Sequence, residues 1–437
     1  MSSTPAPLPP RLTEIKRAIA ATSPDFEQNI TKAWGEVLAE LDKVTKTIAQ
    51  EGSSYIPQVA FADLNNLSEA QIAEIKRKGT VVIKDVVDDD QARAWKAGLE
   101  EFIKANPQAE GFPEDAKQFF QLYWTKSQLQ ARAHPNMLAA SAWLSKLYRA
   151  TNGQKLDGVD MGTPLSYADR FRIRNPGVHW EIHPPHIDGG SIERWEDENF
   201  RSCFADILSG EWAKHDPYAL EPRLSRKTSL YGRRNQSSIF RTFQGWLALS
   251  KTGPGQGTLK VFPDVLLSNA YIILRPFFRP LVPVDSEEIF DAKNWVFDIS
   301  TPDFPGIIQR PNEAGFAGPR PTTKLHPHML LDATMTSVPE VNPGDTVFWH
   351  CDVVHSVEQE HTGSEDSAVM YIPAMPLTPA NMGYVERQRE YFRKGLPPPD
   401  FPVATTGVDF VGLGTEEDFV GASPLARRAM GLPIEVA

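Results

Sequence analysis

Apolar residues recur at helical spacing in the first part of the chain. Between residues 12 and 51 they fall every three or four positions among charged residues, which predicts an amphipathic helical segment. At residues 68–78, Ser68 and Gln71 have the spacing of a helix capping box, and Gly79 marks the end of that helix. Further helices are predicted over residues 88–105, 135–151 and 384–394.

The pattern changes to short β-like runs in the second part of the chain, from about residue 166. Glycine, proline and asparagine separate these runs, which is typical of a β-sandwich or jelly roll and not of a parallel sheet. Two long stretches, 190–236 and 264–340, interrupt them and are predicted to be insertions or covers over a site. The predicted strands are 80–83, 167–173, 238–249, 258–262, 346–350, 353–357 and 368–372.

Composition narrows the class of protein. Forty-five Lys and Arg against 56 Asp and Glu give a net charge of −11 over 437 residues, which argues against a nucleic-acid binder. The two cysteines are too few for a disulfide scaffold. The sequence contains no run of 18 apolar residues, so no membrane span is predicted. The first ten residues lack the pattern of a signal peptide. We therefore expect a cytoplasmic protein that acts on a small molecule, without nucleic-acid or membrane partners.

The candidate chemistry lies in two groups of histidines. His186-Ile187-Asp188 is predicted to place an imidazole and a carboxylate on one side of a strand, so both can reach the same metal ion. A later residue, His355, could supply a third ligand from a facing strand. Two histidines and one carboxylate on one face leave coordination positions open, as in non-heme Fe(II) oxygenases.

The blocks around these residues agree with one family. The chain resembles the phytanoyl-CoA dioxygenase-like superfamily of Fe(II)/2-oxoglutarate oxygenases, in a branch long filed as a domain of unknown function. The resemblance implies an α+β protein with a double-stranded β-helix (jelly-roll) core, flanking helices and long insertions. It also implies that His186, Asp188 and His355 bind iron, with 2-oxoglutarate and O₂ as cosubstrates. The matching segments are 68–72, 78–87, 186–188, 244–249, 257–263, 343–349 and 355–356.

The resemblance also predicts how the chain is divided. Residues 61–380 are expected to form the oxygenase domain, preceded by a helical extension at 1–60. A helical wrap of the same body is expected at 381–437. The N-terminal helices would pack on the main body or form a contact between copies in a homo-oligomer.

One departure from the family pattern concerns the cosubstrate. The family usually has an arginine about ten residues after the distal histidine, where it pairs with the far carboxylate of 2-oxoglutarate. Residues 365–371 contain no basic residue. Either the cosubstrate differs or the cation comes from another strand. Arg241 is the first candidate, because some related jelly-roll hydroxylases use a basic residue on the strand after the His-X-Asp segment, and a guanidinium suits a bidentate carboxylate. Arg172, Arg174 and Lys260 are the other candidates.

Candidate substrate contacts are Trp195, just after the His-X-Asp segment, and Trp246 and Phe348 on predicted strands. Aromatic residues on strands are most often core residues, so packing is the competing interpretation for them.

These observations predict an Fe(II)/2-oxoglutarate-dependent oxygenase that oxidises an unactivated C–H bond by hydroxylation, desaturation or ring closure. An amino acid in a biosynthetic pathway of secondary metabolism is one candidate substrate. The missing arginine favours an alternative, a cupin-like metal enzyme that needs no 2-oxo acid. A non-catalytic jelly-roll binding or sensing module is the remaining alternative.

Overall fold

Helices occupy both ends of the chain and flank its sheets. The computed structural model describes residues 6–310, 313–401, 410–419 and 422–433. The α-helices in these ranges are α1 Leu12–Ala20, α2 Phe26–Glu51, α3 Glu69–Lys78, α4 Asp89–Ala105, α5 Lys126–Ala133, α6 Pro135–Ser145, α7 Glu193–Glu196, α8 Glu198–Ser202, α9 Ala205–Leu208, α10 Glu221–Ser225, α11 Val265–Leu274, α12 Leu331–Thr334, α13 Pro379–Arg393 and α14 Pro424–Ala429.

The predicted capping box at the start of α3 is confirmed. The Ser68 hydroxyl accepts a hydrogen bond from the Gln71 backbone N–H, and Gln71 Oε1 accepts one from the Ser68 backbone N–H at 2.9 Å. Gly79 ends the helix in the left-handed conformation, with φ of 65°, which glycine adopts without strain. The chain then enters the first central strand directly.

The strands are short, as predicted, and most of their residues are buried. They are β1 Gln58–Ala60, β2 Thr80–Lys84, β3 Gly111–Phe112, β4 Phe119–Phe120, β5 Asp160–Leu165, β6 Phe171–Arg174, β7 Phe243–Ala248, β8 Leu259–Val261, β9 Phe278–Pro280, β10 Trp295–Phe297, β11 Thr336–Ser337, β12 Thr346–His350, β13 His355–Val357, β14 Ser367–Tyr371 and β15 Met375–Leu377.

Two of the sheets face each other. The larger has eight strands in the order β1-β2-β12-β7-β14-β6-β4-β3, and the smaller has the order β11-β8-β13. In the larger sheet β1 and β2 are parallel, whereas the other pairings are antiparallel. Side chains from both sheets meet in one apolar cluster that includes Trp246, Val261 and Trp349. The fold is therefore a mixed α+β arrangement with a large sheet, and jelly-roll connectivity stays an expectation.

Helices cover the outer face of the larger sheet. Trp95 and Leu99 of α4 and Leu144 of α6 pack against strand residues such as Leu247 and Phe348. Because strand side chains alternate between faces, Phe348 lies on this helix-covered side, whereas its neighbour Trp349 faces the smaller sheet.

The long helix α2 packs on the same chain. Trp34 stacks on Tyr271 of α11, with ring centroids 5.2 Å apart, and on Phe278, with centroids 4.6 Å apart. Its apolar side is thus buried inside the protein, and an oligomer contact through the N-terminal helices stays a prediction. The expected C-terminal wrap contains α13 and α14, while residues 402–409, 420–421 and 434–437 lie outside the described residues. No helix in the described part of the chain is long and apolar enough to cross a membrane.

Candidate metal centre

His186 and His355 meet between the two sheets. His355 begins β13, and His186 lies in an irregular segment that forms a single antiparallel bridge with it. The backbone N–H of each residue donates to the carbonyl of the other at 2.9 Å. The two imidazole centroids are consequently 4.2 Å apart. A facing strand thus places His355 beside the His-X-Asp segment, which is not itself a strand, and its role as a metal ligand stays a prediction.

The hydrogen bonds of both rings fix which nitrogen can bind a metal. His186 Nδ1 lies 2.6 Å from the Pro184 carbonyl oxygen, and His355 Nδ1 lies 3.1 Å from that of Val353. A carbonyl oxygen only accepts, so each Nδ1 carries a proton, which leaves Nε2 as the nitrogen of each ring that can bind a metal. Burial, reinforced by the nearby His355, lowers the pKa of His186 to about 4, so this ring is neutral at physiological pH.

Asp188 completes the group. Its Oδ1 lies 3.7 Å from His186 Nε2 and its Oδ2 lies 3.5 Å from His355 Nε2. Burial acts to raise the pKa of this carboxyl, but the two imidazoles and the Arg241 guanidinium hold it well below its usual value. Two ligands about 2.1 Å from one ion at a right angle are about 3 Å apart, so a small contraction would bring all three onto a metal. We refer to His186, Asp188 and His355 as the triad.

Gln244 holds the carboxylate of the triad in place. With its amide oriented to satisfy both neighbours, its N–H₂ group donates to Asp188 Oδ2 at 2.8 Å and its oxygen accepts from Trp349 Nε1 at 3.1 Å. Gln244 of β7 and Trp349 of β12 are cross-strand partners. Sequence reasoning gave Gln244 no role. The sequence does contain one signal for such a role. Gln244 lies two residues before Trp246, so the two side chains share one face of the strand.

A buried ion network ties the two ligand segments together. Asp352 accepts hydrogen bonds from Arg194 Nη1 at 2.7 Å and from Arg223 Nη2 at 2.6 Å, and all three side chains are buried. Arg194 also donates to the backbone carbonyl of Asp188 at 3.1 Å. The loop before His355 is thereby fastened to the backbone of the His-X-Asp segment.

The same network includes a second cluster of side chains of the types that bind metals. The ligand atoms of His350, Cys351 and Asp352 lie within 4.8 Å of one another. Both carboxylate oxygens of Asp352 are already held by arginines, and Arg223 also donates to Cys351 Sγ at 3.3 Å. Two guanidinium groups beside this cluster disfavour a bound cation, so its chemistry is that of a structural ion network.

The triad opens into a small enclosed space of about 90 Å³, which we call the inner cavity. It lies between the sheets, and its wall includes Arg172 on β6, Trp246 on β7 and Tyr371 on β14. Arg172 is 2% exposed, and its Nε and Nη1 have no hydrogen-bond partner among the described residues, while Nη2 donates to the Gly257 carbonyl at 3.1 Å. A buried guanidinium with free N–H groups is costly unless an anion pairs with it.

The other predicted cosubstrate residues have different surroundings. Arg241 lines the inner cavity and makes a cation–π contact with Tyr167. Arg174 points elsewhere and donates to the backbone carbonyls of Val178, Glu358 and Gln359. Lys260 of β8 does not line the inner cavity, because the alternation of the strand turns it away from the face on which Leu259 lies.

The three predicted substrate contacts are also separated by the fold. Trp246 lines the inner cavity. Phe348 lies on the helix-covered face of the sheet. Trp195 is fully buried in another apolar cluster, where its Nε1 donates to the Ile273 carbonyl at 3.1 Å. Core packing is therefore the environment of Trp195 and Phe348.

The donor set of the triad suits Fe(II). Two imidazole Nε2 atoms and one ionised carboxylate, arranged at the wall of one cavity, are the ligand types of the 2-His-1-carboxylate iron site. Both rings are oriented by backbone carbonyls and the carboxylate by Gln244, as expected of ligands held ready for a metal.

Comparison with known proteins shows the family to which the chain belongs. The Gig2-like family model matches residues 6–432, and the chain belongs to this family. The structure of GlcNAc Inducible Gene 2, GIG2 (DUF1479), from Candida albicans is 33% identical and superposes with a TM-score of 0.85, covering 100% of this chain and 93% of that one. YbiU of Escherichia coli K12 is 29% identical over 97% of this chain and 96% of its own length.

A third relative carries a description of its chemistry. A Salmonella typhimurium LT2 protein, named as a candidate oxidoreductase, is 28% identical, with a TM-score of 0.77 and 96% of each chain covered. The expected phytanoyl-CoA dioxygenase-like model is not the one that matches. The 2-oxoglutarate-dependent carbocyclase SnoK aligns with a TM-score of only 0.35, which supports no argument about fold.

Proposed function

We propose that this protein is an Fe(II)- and 2-oxoglutarate-dependent oxygenase that oxidises a small molecule. The observation that carries the proposal is the triad, in which two Nε2 lone pairs and one ionised carboxylate converge at the wall of a cavity. Such a site leaves about three coordination positions for a bidentate 2-oxo acid and O₂. When bound, Fe(II) with these cosubstrates supplies the oxidising power for an unactivated C–H bond.

Arg172 is the residue that we assign to the far carboxylate of 2-oxoglutarate. Its Nε and Nη1, which have no partner among the described residues, can each donate a charge-assisted hydrogen bond to an anion. Arg172 is the cross-strand partner of Val369 on β14, which is the strand where the family pattern would place its arginine. A cation on the adjacent strand β6 thus reaches the same region, which accounts for the absence of a basic residue at 365–371.

The surroundings of the triad favour oxidation over hydrolysis. Trp246 and Trp349 shield the inner cavity on the side of the larger sheet, and Leu259 and Val357 shield it on the side of the smaller sheet. A small, largely enclosed space limits the access of water to a reactive intermediate. Arg241, at the mouth of this space, contributes positive charge that attracts an anionic cosubstrate.

The alternative of a metal enzyme without a 2-oxo acid rests on the same triad and on the missing arginine after His355. It predicts that 2-oxoglutarate neither binds nor reacts. The buried guanidinium of Arg172 favours the oxygenase, because the alternative leaves its charge without an anionic partner among the described residues.

Succinate formation tests the proposal. The purified protein is incubated with Fe(II), 2-oxoglutarate and ascorbate in air, and succinate and O₂ consumption are measured together. We expect slow, uncoupled succinate release that is lost in Asp188→Ala and retained in a control variant, His179→Ala, which changes an exposed histidine of the same segment. Oxygen consumption without 2-oxoglutarate would favour the alternative enzyme, and no turnover with any metal would favour a binding module.

A further inference from the structure

A second, larger cavity opens from the triad towards the surface. It has a volume of about 810 Å³ and shares His186, Asp188 and Arg241 with the inner cavity. We call it the outer cavity. Six arginines line it against two carboxylates, Asp188 and Glu313, although the whole chain has a net charge of −11. The arginines are Arg170, Arg233, Arg234, Arg241, Arg310 and Arg320.

Half of these arginines have an acidic partner. Arg170 pairs with Asp169 at 2.9 Å, while Arg233 and Arg310 share Glu313 at 3.7 and 3.2 Å. The side chains of the remaining three, Arg234, Arg241 and Arg320, make no hydrogen bond or ion pair with any residue that the structure describes. The outer cavity therefore carries an excess of positive charge, because six guanidinium groups line it and its described lining has two carboxylates, Asp188 and Glu313.

Arg320 is the best placed of the three. It is partly buried, and its backbone N–H donates to the Gly306 carbonyl at 2.8 Å. The preceding residue, Pro319, accepts a backbone hydrogen bond at 2.9 Å from Ile187, the residue between the two triad ligands of the His-X-Asp segment. Burial, with the nearby Arg310 and Arg233, lowers the pKa of Arg320, so a bound anion would relieve an unfavourable arrangement of charge.

The wall of the outer cavity also holds polar atoms that lack partners. Ser191 Oγ, Ser237 Oγ and Gln236 Oε1 are buried and make no hydrogen bond within the described structure. Their side chains are at least nine-tenths buried, with exposed fractions of 1%, 6% and 7%. Buried polar groups without partners are rare in proteins and indicate a missing ligand or solvent. A ligand with hydroxyl or amide groups would satisfy them.

We propose that the outer cavity binds the substrate, and that the substrate is a hydrophilic organic anion whose carboxylate or phosphate pairs with Arg320. Arg241 and Arg234 add charge on the path towards the metal, and Ser191, Ser237 and Gln236 bind the polar body of the molecule. The role as substrate site rests on the proposed function, whereas the binding of the anion does not. Arg172 in the inner cavity binds the cosubstrate, so the two anions have separate guanidinium partners.

The test uses three probes. They are the six-carbon anion D-gluconate, inorganic phosphate and the uncharged six-carbon sugar D-glucose. Each is titrated calorimetrically into the full-length protein in a buffer without phosphate, first without metal and then with Fe(II) and saturating 2-oxoglutarate under anaerobic conditions. We expect gluconate, phosphate or both to bind at least tenfold more tightly than glucose. The anion that binds more tightly identifies the substrate group as carboxylate or phosphate.

Two variants decide which cavity holds the probe. Arg320→Gln should weaken anion binding at least tenfold and leave 2-oxoglutarate affinity unchanged. Arg172→Met should weaken 2-oxoglutarate binding and leave the affinity for the anion unchanged. Arg279→Gln changes an exposed arginine outside both cavities and should leave both affinities unchanged. Equal binding of all three probes, or unchanged anion affinity in Arg320→Gln, would overturn the proposal. Anion binding that depends on Arg320 in a protein that fails to bind 2-oxoglutarate would refute the oxygenase function and keep the anion site.

Discussion

His186 and His355 are an antiparallel pair in which each backbone N–H donates to the other's carbonyl at 2.9 Å. This pairing sets the distance between the two imidazoles before any metal arrives, and the carbonyls of Pro184 and Val353 then set their orientation. The ligands of the candidate centre are thus positioned by backbone geometry. Their remaining support comes from Gln244 and from the buried ion network.

Gln244→Met tests the support of the carboxylate. The substitution keeps the volume but removes the hydrogen bond to Asp188 Oδ2. We expect Fe(II) affinity to fall about 10- to 100-fold, the usual effect of losing a group that orients a ligand. Anaerobic competition with a chromophoric chelator measures it. Gln359→Met, at an exposed glutamine, is the control. Wild-type affinity in Gln244→Met would mean that Asp188 needs no such support.

Arg172→Met tests the cosubstrate anchor. Loss of a charge-assisted pair should weaken 2-oxoglutarate binding by about 1.5–3 kcal/mol, and Fe(II) affinity should not change. Arg172→Lys should give an intermediate loss, because it keeps the charge but not the planar set of guanidinium donors. Thermal unfolding of the metal-free protein supplies a second readout. If Arg172 is only structural, Arg172→Met lowers stability strongly and leaves 2-oxoglutarate binding intact in the protein that remains folded.

The contrast between Arg172 and the triad shows what the sequence could predict. His186 and Asp188 are two residues apart, so their shared side follows from local geometry, and the capping box at Ser68 is equally local. The role of Arg172 depends on which strands pair and on which of its N–H groups lack partners. Neither property is visible in a sequence. Residue type and position along the chain therefore favour Arg241 in the sequence.

The alternation of side chains along a strand explains another difference between the sequence prediction and the structure. Phe348 and Trp349 are adjacent aromatic residues, and the sequence does not show which of them faces the smaller sheet. Pairing of Trp349 with Gln244 and of Phe348 with Gly245 decides it. Trp195 follows the His-X-Asp segment closely in sequence, yet α7 carries it into the core beside α11. Closeness to the His-X-Asp segment along the chain therefore did not predict the position of Trp195 in the fold.

Asp352→Asn tests the buried ion network. Both carboxylate oxygens bind arginines, and removing the negative charge leaves two buried guanidinium groups unpaired. We expect the free energy of unfolding in urea to fall by about 3–5 kcal/mol. The matched control is Asp298→Asn, which breaks a pair with the exposed Arg279 and should cost about 1 kcal/mol or less. Equal effects of the two variants would show that the network contributes little.

Acid should destabilise the protein between about pH 6.5 and 4. Burial, with a nearby arginine in each case, lowers the pKa of His215 and of His328 to about 4. In this interval the unfolded chain binds protons that the folded protein does not, so stability decreases as the pH falls. Each such histidine contributes up to about 3 kcal/mol.

His328→Gln is the variant that isolates one of these groups. Glutamine can still accept the hydrogen bond of the Tyr271 hydroxyl, and it does not titrate. The slope of unfolding free energy against pH should become shallower by about one proton. His179→Gln is the control, since hydrogen bonding to Glu360 raises the pKa of that exposed histidine and its loss should not reduce the slope. An unchanged slope in His328→Gln would show that His328 is already charged in the folded protein.

The most direct test of the central claim is an anaerobic titration of Fe(II) followed by 2-oxoglutarate, monitored by visible absorption. We predict a metal-to-ligand charge-transfer band that saturates at one equivalent of each. The band should be absent in His186→Ala and present in His179→Ala. A wild-type protein that binds Fe(II) but shows no band with 2-oxoglutarate, or a band unchanged in His186→Ala, would contradict the account.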